Sequence, residues 1–162
     1  MMRTALQMLP CFALAVAASC ADLSGSWLER GVVWTKAPAT IDHDLRSGRA
    51  EVVNFASDGE FAILTCTLYR RKSGVTVSAG DPQDVDLGRW QSIGSSLHIQ
   101  HRLSFRTIER SGETLPGPEI SGVVEIMNDH TIRFRGKVFR RERSLDKGVE
   151  EDLVGVRSVA KR

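Results

Sequence analysis

Hydrophobic and polar residues alternate with a period of two over much of this chain, and that pattern predicts β-strands. The clearest alternation runs over residues 97–105, where every second residue is apolar apart from one histidine. Residues two apart in a strand face the same side of a sheet. One face of this predicted strand therefore carries Leu97, Ile99, His101, Leu103 and Phe105.

A first predicted hairpin joins residues 50–55 to residues 60–69. Ser57-Asp58-Gly59 separates the two arms, and its glycine suits the left-handed backbone of a tight turn. Both faces of the second arm are apolar, so the pattern leaves its inward face open. A short strand over 75–79 and a polar loop over 80–86 are predicted to follow.

A second predicted hairpin joins residues 122–127 to residues 131–139 through Asn128-Asp129. In its second arm Ile132, Phe134, Gly136 and Val138 alternate with polar or charged residues. Sheets that are wetted on one side are antiparallel in most cases. We therefore expect an all-β fold, an antiparallel up-and-down barrel of about 8 strands.

The period changes to that of a helix after residue 143. Ser144 is placed to cap its start, whereas Gly148 and Gly155 each cost a helix about 1 kcal/mol relative to alanine. Residues 144–162 are therefore predicted to form an amphipathic helix, with a flexible tail as the alternative. The apolar stripe of that helix would be Leu145, Val149, Leu153, Val156 and Ala160.

The first 21 residues have the pattern of a secretory signal peptide. Arg3 precedes an apolar run over 9–18, which ends in small residues and is followed by polar sequence. The alternative, a membrane anchor, would need roughly 20 apolar residues. We expect the chain to be exported, with a single domain over 22–143.

The cleavage position determines the role of Cys20. A cut after Ala21 gives a mature chain that begins at Asp22. Alternatively, Ala17-Ala18-Ser19-Cys20 resembles a bacterial lipobox, in which Cys20 would be lipidated and anchor the protein to the outer membrane. Cys11 leaves with the leader in both cases, and Cys66 has the apolar neighbours of a buried thiol.

Charge and motif content narrow the classes of function. Lys and Arg total 22 against 20 for Asp and Glu, a net charge of +2, which gives no electrostatic footprint for nucleic acid. No nucleophile or phosphate-loop signature is present, and no cysteine pair has metal-ligand spacing. Asp42-His43-Asp44 is expected to be a solvated turn, with a site for a hard cation as the alternative. We therefore expect no enzyme activity, no cofactor and no metal site. Arg70-Arg71-Lys72 is expected to be a solvated hairpin tip, with a patch for phosphate or anionic lipid as the alternative.

Two short motifs carry a family resemblance. Gly25-Ser26-Trp27 opens the domain, and Gly88-Arg89-Trp90 recurs in mid-chain before an alternating strand. In these motifs the chain resembles the lipocalin-like, or calycin, barrels. The resemblance implies a barrel whose base is plugged by the indole of Trp27 and whose interior is either filled by side chains or holds one small ligand.

Two hypotheses of function follow from this resemblance. In the first, a small apolar or amphipathic ligand contacts a barrel wall made of Leu97, Ile99, His101, Leu103, Phe105, Ile132 and Phe134. His101 is then either a core histidine or a group that faces the ligand. In the second, the barrel is solid and the loops over 35–49 and 106–120 bind a protein partner in the periplasm.

Overall fold

A computed structural model describes residues 23–37, 43–93, 96–106 and 121–160, with 78–83, 92–93, 96–106, 121 and 159–160 described by their backbone alone. These segments form nine strands, a short 3-10 helix (Arg143–Leu145) and one α-helix. Their bounds are β1 Gly25–Glu29, β2 Thr35–Lys36, β3 Arg46–Phe55, β4 Glu60–Arg71, β5 Gly74–Ile93, β6 Ser96–Arg106, β7 Ser121–Asn128, β8 Thr131–Phe134, β9 Lys137–Arg141 and α1 Asp146–Ala160.

The strands form one antiparallel sheet. Its order is β1-β9-β8-β7-β6-β5-β4-β3-β2, and β1 additionally pairs with β3. In that additional pairing Gly25 lies opposite Phe55 and Leu28 opposite Val52. The all-β class and the C-terminal helix are thus as predicted from the sequence.

The first predicted hairpin is confirmed and is longer than expected. Strands β3 and β4 pair from Phe55 opposite Phe61 to Arg46 opposite Arg70. Gly59 turns the chain with a φ of 84°, which glycine tolerates without strain. The Asp58 carboxylate accepts the backbone N–H of Glu60 at 3.0 Å. The turn chemistry was therefore readable from the sequence.

The second arm of the other hairpin is two strands rather than one. Arg135 and Gly136 have φ values of 52° and 76°, and both positive angles together make a two-residue hairpin turn between β8 and β9. Ile132 then lies opposite Phe139. Phe139 is fully buried, whereas Val138 is only half-buried, so the prediction that Val138 continues the apolar face is wrong.

The polar loop predicted over 80–86 is part of β5. Leu68 of β4 pairs with Val77, and Cys66 pairs with Pro82, so residues 78–81 lie opposite Thr67 alone. The extra residues are absorbed as a β-bulge inside a 20-residue strand. The prediction of a loop over 80–86 is therefore wrong, because these polar residues continue the strand.

Two hydrophobic clusters lie on opposite faces of β3 and β4. The first cluster contains Trp27 and alternate residues of both strands, together with residues from β7, β8 and β9. The second cluster contains the intervening residues of β3 and β4 and the buried side of α1. Members of the first are Leu23, Trp27, Val53, Phe55, Phe61, Ile63, Val124, Ile132, Phe134 and Phe139. Members of the second are Ala50, Val52, Ala62, Leu64, Cys66, Leu68, Val75, Val85, Leu145, Val149 and Leu153.

Trp27 lies in the first cluster beside an ion pair that joins β9 to α1. Its ring is 1% exposed, and its Nε1–H donates to the Leu23 carbonyl at 2.9 Å. The Arg141 guanidinium lies 6.0 Å from the ring centre and donates to both Asp146 carboxylate oxygens, each at 2.9 Å. Ser26 completes the group, since its N–H donates to Asp146 at 2.7 Å and its carbonyl accepts from Arg141 at 2.8 Å.

Ser144 lies in the segment between β9 and α1 and bonds it to β5. Its hydroxyl accepts the backbone N–H of Val75 at 3.0 Å and donates to the Glu142 carboxylate at 2.6 Å. Ser144 was predicted to cap the helix, but it lies within the 3-10 turn that precedes α1. It therefore links the start of the helix to β5.

Gly25 provides a first test of this arrangement. Its φ is 108°, and a Cβ at this position would clash with the Arg141 guanidinium. Gly31 has a similar φ of 90° but nothing within 4 Å of its Cβ position. We expect Gly31→Ala to lower the free energy of unfolding by about 1 kcal/mol through backbone strain and Gly25→Ala by about 3 kcal/mol through strain plus the clash. Urea denaturation measures both losses, and equal losses would contradict the clash.

The Arg141–Asp146 pair predicts an acid-dependent loss of stability. Burial raises the pKa of Asp146, but hydrogen bonds from Arg141 and Ser26 and the Arg141 charge outweigh it, so the pKa lies below the ordinary 3.8. A lowered carboxylate pKa contributes stability above the unfolded value and loses it as the pH falls through the folded value. Asp146→Asn should therefore cost about 1 kcal/mol at neutral pH, a figure already reduced because the Asp146 side chain is 37% exposed.

Unfolding measured across pH tests this second prediction. The difference between wild type and Asp146→Asn should shrink as the pH falls below about 4. Glu150→Gln, on the exposed side of α1, is the matched control and should change stability little at any pH. A difference that stayed constant down to strongly acidic pH would show that the carboxylate charge is not what Asp146 contributes.

Candidate functional site

The structure places two of the seven predicted wall residues inside the packed first cluster. Ile132 and Phe134 are fully buried, together with Trp27 and Phe139. The Phe134 ring lies 3.0 Å from the position that a Cβ on Gly122 would occupy. At these positions side chains, rather than a cavity, fill the space next to the sheet.

The other five predicted wall residues lie on β6, which is described by its backbone alone. Leu97 and Ile99 pair with Val124 and Gly122 of β7. On the β5 side, a register shift places His101 opposite Gly88 but Leu103 opposite Leu87 and Phe105 opposite Val85. Paired residues share a face, and residues 87 and 88 point to opposite sides of β5. The pairing of β6 with β5 is therefore shifted by one residue between His101 and Leu103.

The bulge at Arg102 assigns the β6 positions to different clusters. Leu97, Ile99 and His101 occupy register positions on the side of the first cluster, which contains Val124. Leu103 and Phe105 occupy positions on the side of Val85, in the second cluster. An added residue in one strand reverses the faces beyond it. The wall formed by the five β6 residues stays a prediction, whereas Ile132 and Phe134 lie in the first cluster.

The two Gly-x-Trp motifs both have structural partners. Gly88 is buried and lies opposite Phe61. The Trp90 Nε1–H donates to the Ala56 carbonyl at 3.0 Å, and its ring meets that of Phe55 edge to face at 5.8 Å. Trp90 therefore covers the first cluster beside the β3–β4 turn. The burial predicted for the Trp27 indole is confirmed.

Of the predicted sites, the lipidation residue Cys20 lies outside the described residues. Cys66 is buried in the second cluster, as predicted from its neighbours. Within the described part of the chain, no three His, Cys, Asp or Glu side chains converge as metal ligands. No helix among the described residues is long and apolar enough to cross a membrane.

A groove of about 440 Å³ lies where the second cluster ends. Three segments form its sides, namely the chain that follows β1, the β4–β5 turn and the end of β9. We call this feature the basic groove. Its volume lies in the range of about 300–1,000 Å³ that is typical of small-molecule sites. Its apolar residues are Leu28, Val32, Trp34 and Val75, and its charged residues are Glu29, Arg30, Arg70, Arg71, Lys72, Arg140 and Glu142.

The apolar floor of the basic groove is an extension of the second cluster. Leu28, Val32 and Trp34 pack against that cluster while keeping part of their surface exposed. Gly48 of β3 lets this segment approach, since a Cβ there would lie 2.8 Å from Val32 Cγ1 and 3.3 Å from the Trp34 ring. The segment over 32–34 is therefore seated directly on the backbone of β3.

The rim of the basic groove is dominated by positive charge. Five of its side chains are cationic and two are acidic. Arg70 lies over the face of Trp34, with its guanidinium carbon 5.5 Å from the ring centre. Lys72 approaches Asp44 at 3.6 Å, but both side chains are largely exposed, so this pair contributes little.

The two acidic residues of the groove have partners of their own. Glu142 accepts the Ser144 hydroxyl at 2.6 Å. Glu29 pairs with Lys137 at 3.0 Å and accepts the backbone N–H of Glu51 at 3.1 Å. Burial lowers the pKa of Lys137, but hydrogen bonds to Glu29 and Glu51 and the charges of those two groups outweigh burial, so the pKa lies above the ordinary 10.5. Lys137 therefore stays charged at neutral pH.

The sequence indicated only one part of this groove. Arg70-Arg71-Lys72 was recognised as a charged hairpin tip, with an anion patch as the alternative. Arg30 and Arg140 lie far away in the sequence and reach the same place because β1 and β9 are neighbours, with Leu28 opposite Arg140. Comparisons of the chain with protein-family models, curated proteins and solved structures found no match.

Proposed function

We propose that this chain is an exported, lipocalin-like β-barrel that binds a small amphipathic molecule in the basic groove. The observation that carries the ligand site is the groove itself. It combines an apolar floor of Leu28, Val32, Trp34 and Val75 with a charged rim, in a volume suited to a small molecule.

The pairing of β1 supports the barrel. This strand is bonded to β9 on one side and to β3 on the other, and the strands from β3 to β9 follow each other in chain order. This order supports the proposal of an up-and-down barrel of eight strands, in which β2 is a short addition beside β3. The buried Trp27 at the start of β1 agrees with the resemblance carried by Gly25-Ser26-Trp27.

The burial of the first cluster favours the groove over the barrel interior as the ligand site. Trp27, Phe55, Phe61, Phe134 and Phe139 are each at most 1% exposed. A small barrel either fills its interior with side chains or holds one ligand there. Large aromatic rings occupy this end of the sheet, whereas Trp34 remains partly exposed in the groove.

The alternative hypothesis, a protein partner bound by the loops over 35–49 and 106–120, stays a prediction. Residues 38–42 and 107–120, which make up much of those loops, lie outside the described residues. The groove offers a defined concave surface for a small molecule. We therefore prefer the ligand-binding function.

Export predicts the mass of the mature protein. Expression of the full sequence with its own leader in a bacterial host should give an envelope protein that has lost its first 19 to 21 residues. Intact-mass spectrometry distinguishes a chain that begins at Asp22 from one that begins at an acylated Cys20. Recovery of the chain from the cytoplasm with Met1 to Ala21 still attached would contradict export.

If the groove binds amphiphiles, Trp34 should contribute to the affinity for both an uncharged and an anionic amphiphile. We expect decyl maltoside and decyl phosphate, each below its critical micelle concentration, to bind saturably in isothermal titration calorimetry. Trp34→Ala should weaken both by about tenfold, because the largest apolar surface of the floor is lost. Val154→Ala, at an exposed position of α1, is the control and should leave both affinities unchanged.

A second, milder substitution in the apolar floor tests the same prediction if Trp34→Ala fails to fold. Val32→Thr keeps the side-chain shape and adds a hydroxyl to the floor, so it should weaken both amphiphiles by about threefold with little change in thermal stability. Absence of saturable binding of either amphiphile to the wild-type protein would overturn the proposed function.

A further inference from the structure

The cations of the basic groove outnumber its acids, and both acids are already engaged. Glu29 is paired with Lys137, and Glu142 accepts the Ser144 hydroxyl. Arg30, Arg70 and Arg140, by contrast, form no ion pair with any residue that the structure describes. Arg30 follows β1, Arg70 lies on β4 and Arg140 lies on β9. Among the described residues, the groove therefore carries more positive than negative charge.

The strand register places two of the positive charges near this groove opposite each other. Arg46 and Arg70 are direct cross-strand partners on β3 and β4. Like charges in directly opposite positions destabilise an antiparallel pair. Arg46 does not line the groove, and its guanidinium donates to the His43 carbonyl at 2.9 Å. A bound anion beside Arg70 would remove part of the remaining repulsion.

Arg70 is also held in an orientation that suits an anion. Its guanidinium is stacked over Trp34, which limits its motion and leaves its N–H groups available at the edge of the plane. Planar guanidinium groups bind phosphate and carboxylate through paired hydrogen bonds. Arg140 reaches the same groove from β9, beside the apolar side chain of Leu28.

We infer that the ligand of the basic groove carries an anionic head group, a phosphate or a carboxylate, on an apolar body. This inference rests on the proposed function of the groove. Arg70 and Arg140 bind the head group, with Arg30 adding positive charge on the third side. Leu28, Val32 and Trp34 contact the apolar body.

The experiment compares head groups on one tail. In isothermal titration calorimetry, decyl phosphate should bind at least about tenfold more tightly than decyl maltoside, because charged hydrogen bonds are added to the same apolar contact. Added salt should weaken the binding of decyl phosphate and leave that of decyl maltoside unchanged.

Substitution of the two arginines separates charge from packing. Arg70→Gln and Arg140→Gln should each weaken decyl phosphate about tenfold without changing the affinity for decyl maltoside. Arg89→Gln removes the same charge from an exposed arginine outside the groove and is the matched control. Thermal unfolding of each variant confirms that it is folded, and retained binding of decyl maltoside confirms that the floor is intact.

Inorganic phosphate distinguishes the two sources of the anion. Competition with decyl phosphate would support recognition of the anion by itself, and binding of decyl phosphate without such competition would support recognition of an anionic amphiphile. Equal affinities for the two decyl compounds, or arginine variants that weaken both equally, would overturn the inference while the proposed function stands. If neither compound bound, both would fall.

Discussion

The ion pair between Arg141 and Asp146 is the interaction on which the rest of the fold depends. It joins the last residue of β9 to the first residue of α1, and Ser26 connects both to the start of β1. Arg141 is only 14% exposed, so loss of its partner would leave a largely desolvated charge beside Trp27. Because the guanidinium also occupies the space above Gly25, the first turn of the domain and the docking of its last helix are fixed by one group.

The helix is needed because two neighbouring strands are apolar on both faces. Along β4, Phe61 and Ile63 face the first cluster, whereas Ala62, Leu64 and Leu68 face the second. A sheet with one wet face would expose that second set of side chains. The stripe of α1 covers them, and the ion pair of Arg157 with Glu60 at 2.9 Å holds the far end of the helix against β4. The second apolar face of β4 and the apolar stripe of α1 thus pack against each other.

The predictability of the fold from the sequence depended on whether a signal was local. The Ser57-Asp58-Gly59 turn, the helical stripe and the burial of Trp27 were predictable because each is encoded within a few residues. The Arg135–Gly136 turn was missed because arginine carries no signal for a positive φ, and the missed turn reversed the assignment of Val138 and Phe139. Likewise, no residue type marks the bulge that separates His101 from Leu103. Period-two reasoning fails beyond any such insertion.

The candidate site was less predictable, since its residues meet only through strand pairing. The local run Arg70-Arg71-Lys72 was visible, but its meaning depends on Arg30 and Arg140, which β1 and β9 bring to the same edge. The local sequence of a charged hairpin tip is the same whether the tip is surrounded by water or borders an apolar floor. Only the seating of residues 32–34 on Gly48 distinguishes the two cases, because it places Trp34 beneath Arg70.

The groove lies where it does because the cover of the second cluster is incomplete. On β4 the helix-facing positions run from Ala62 to Leu68, and the next position on that face is Arg70. The helix cannot extend over Arg70, since the chain enters it from β9 through Glu142 and Ser144, and Ser144 is bonded to Val75 at the β4–β5 turn. The uncovered end of the cluster is therefore apolar at its floor and cationic at its rim. A ligand with an apolar body and an anionic head complements both parts at once, and neither a purely apolar molecule nor a free cation does.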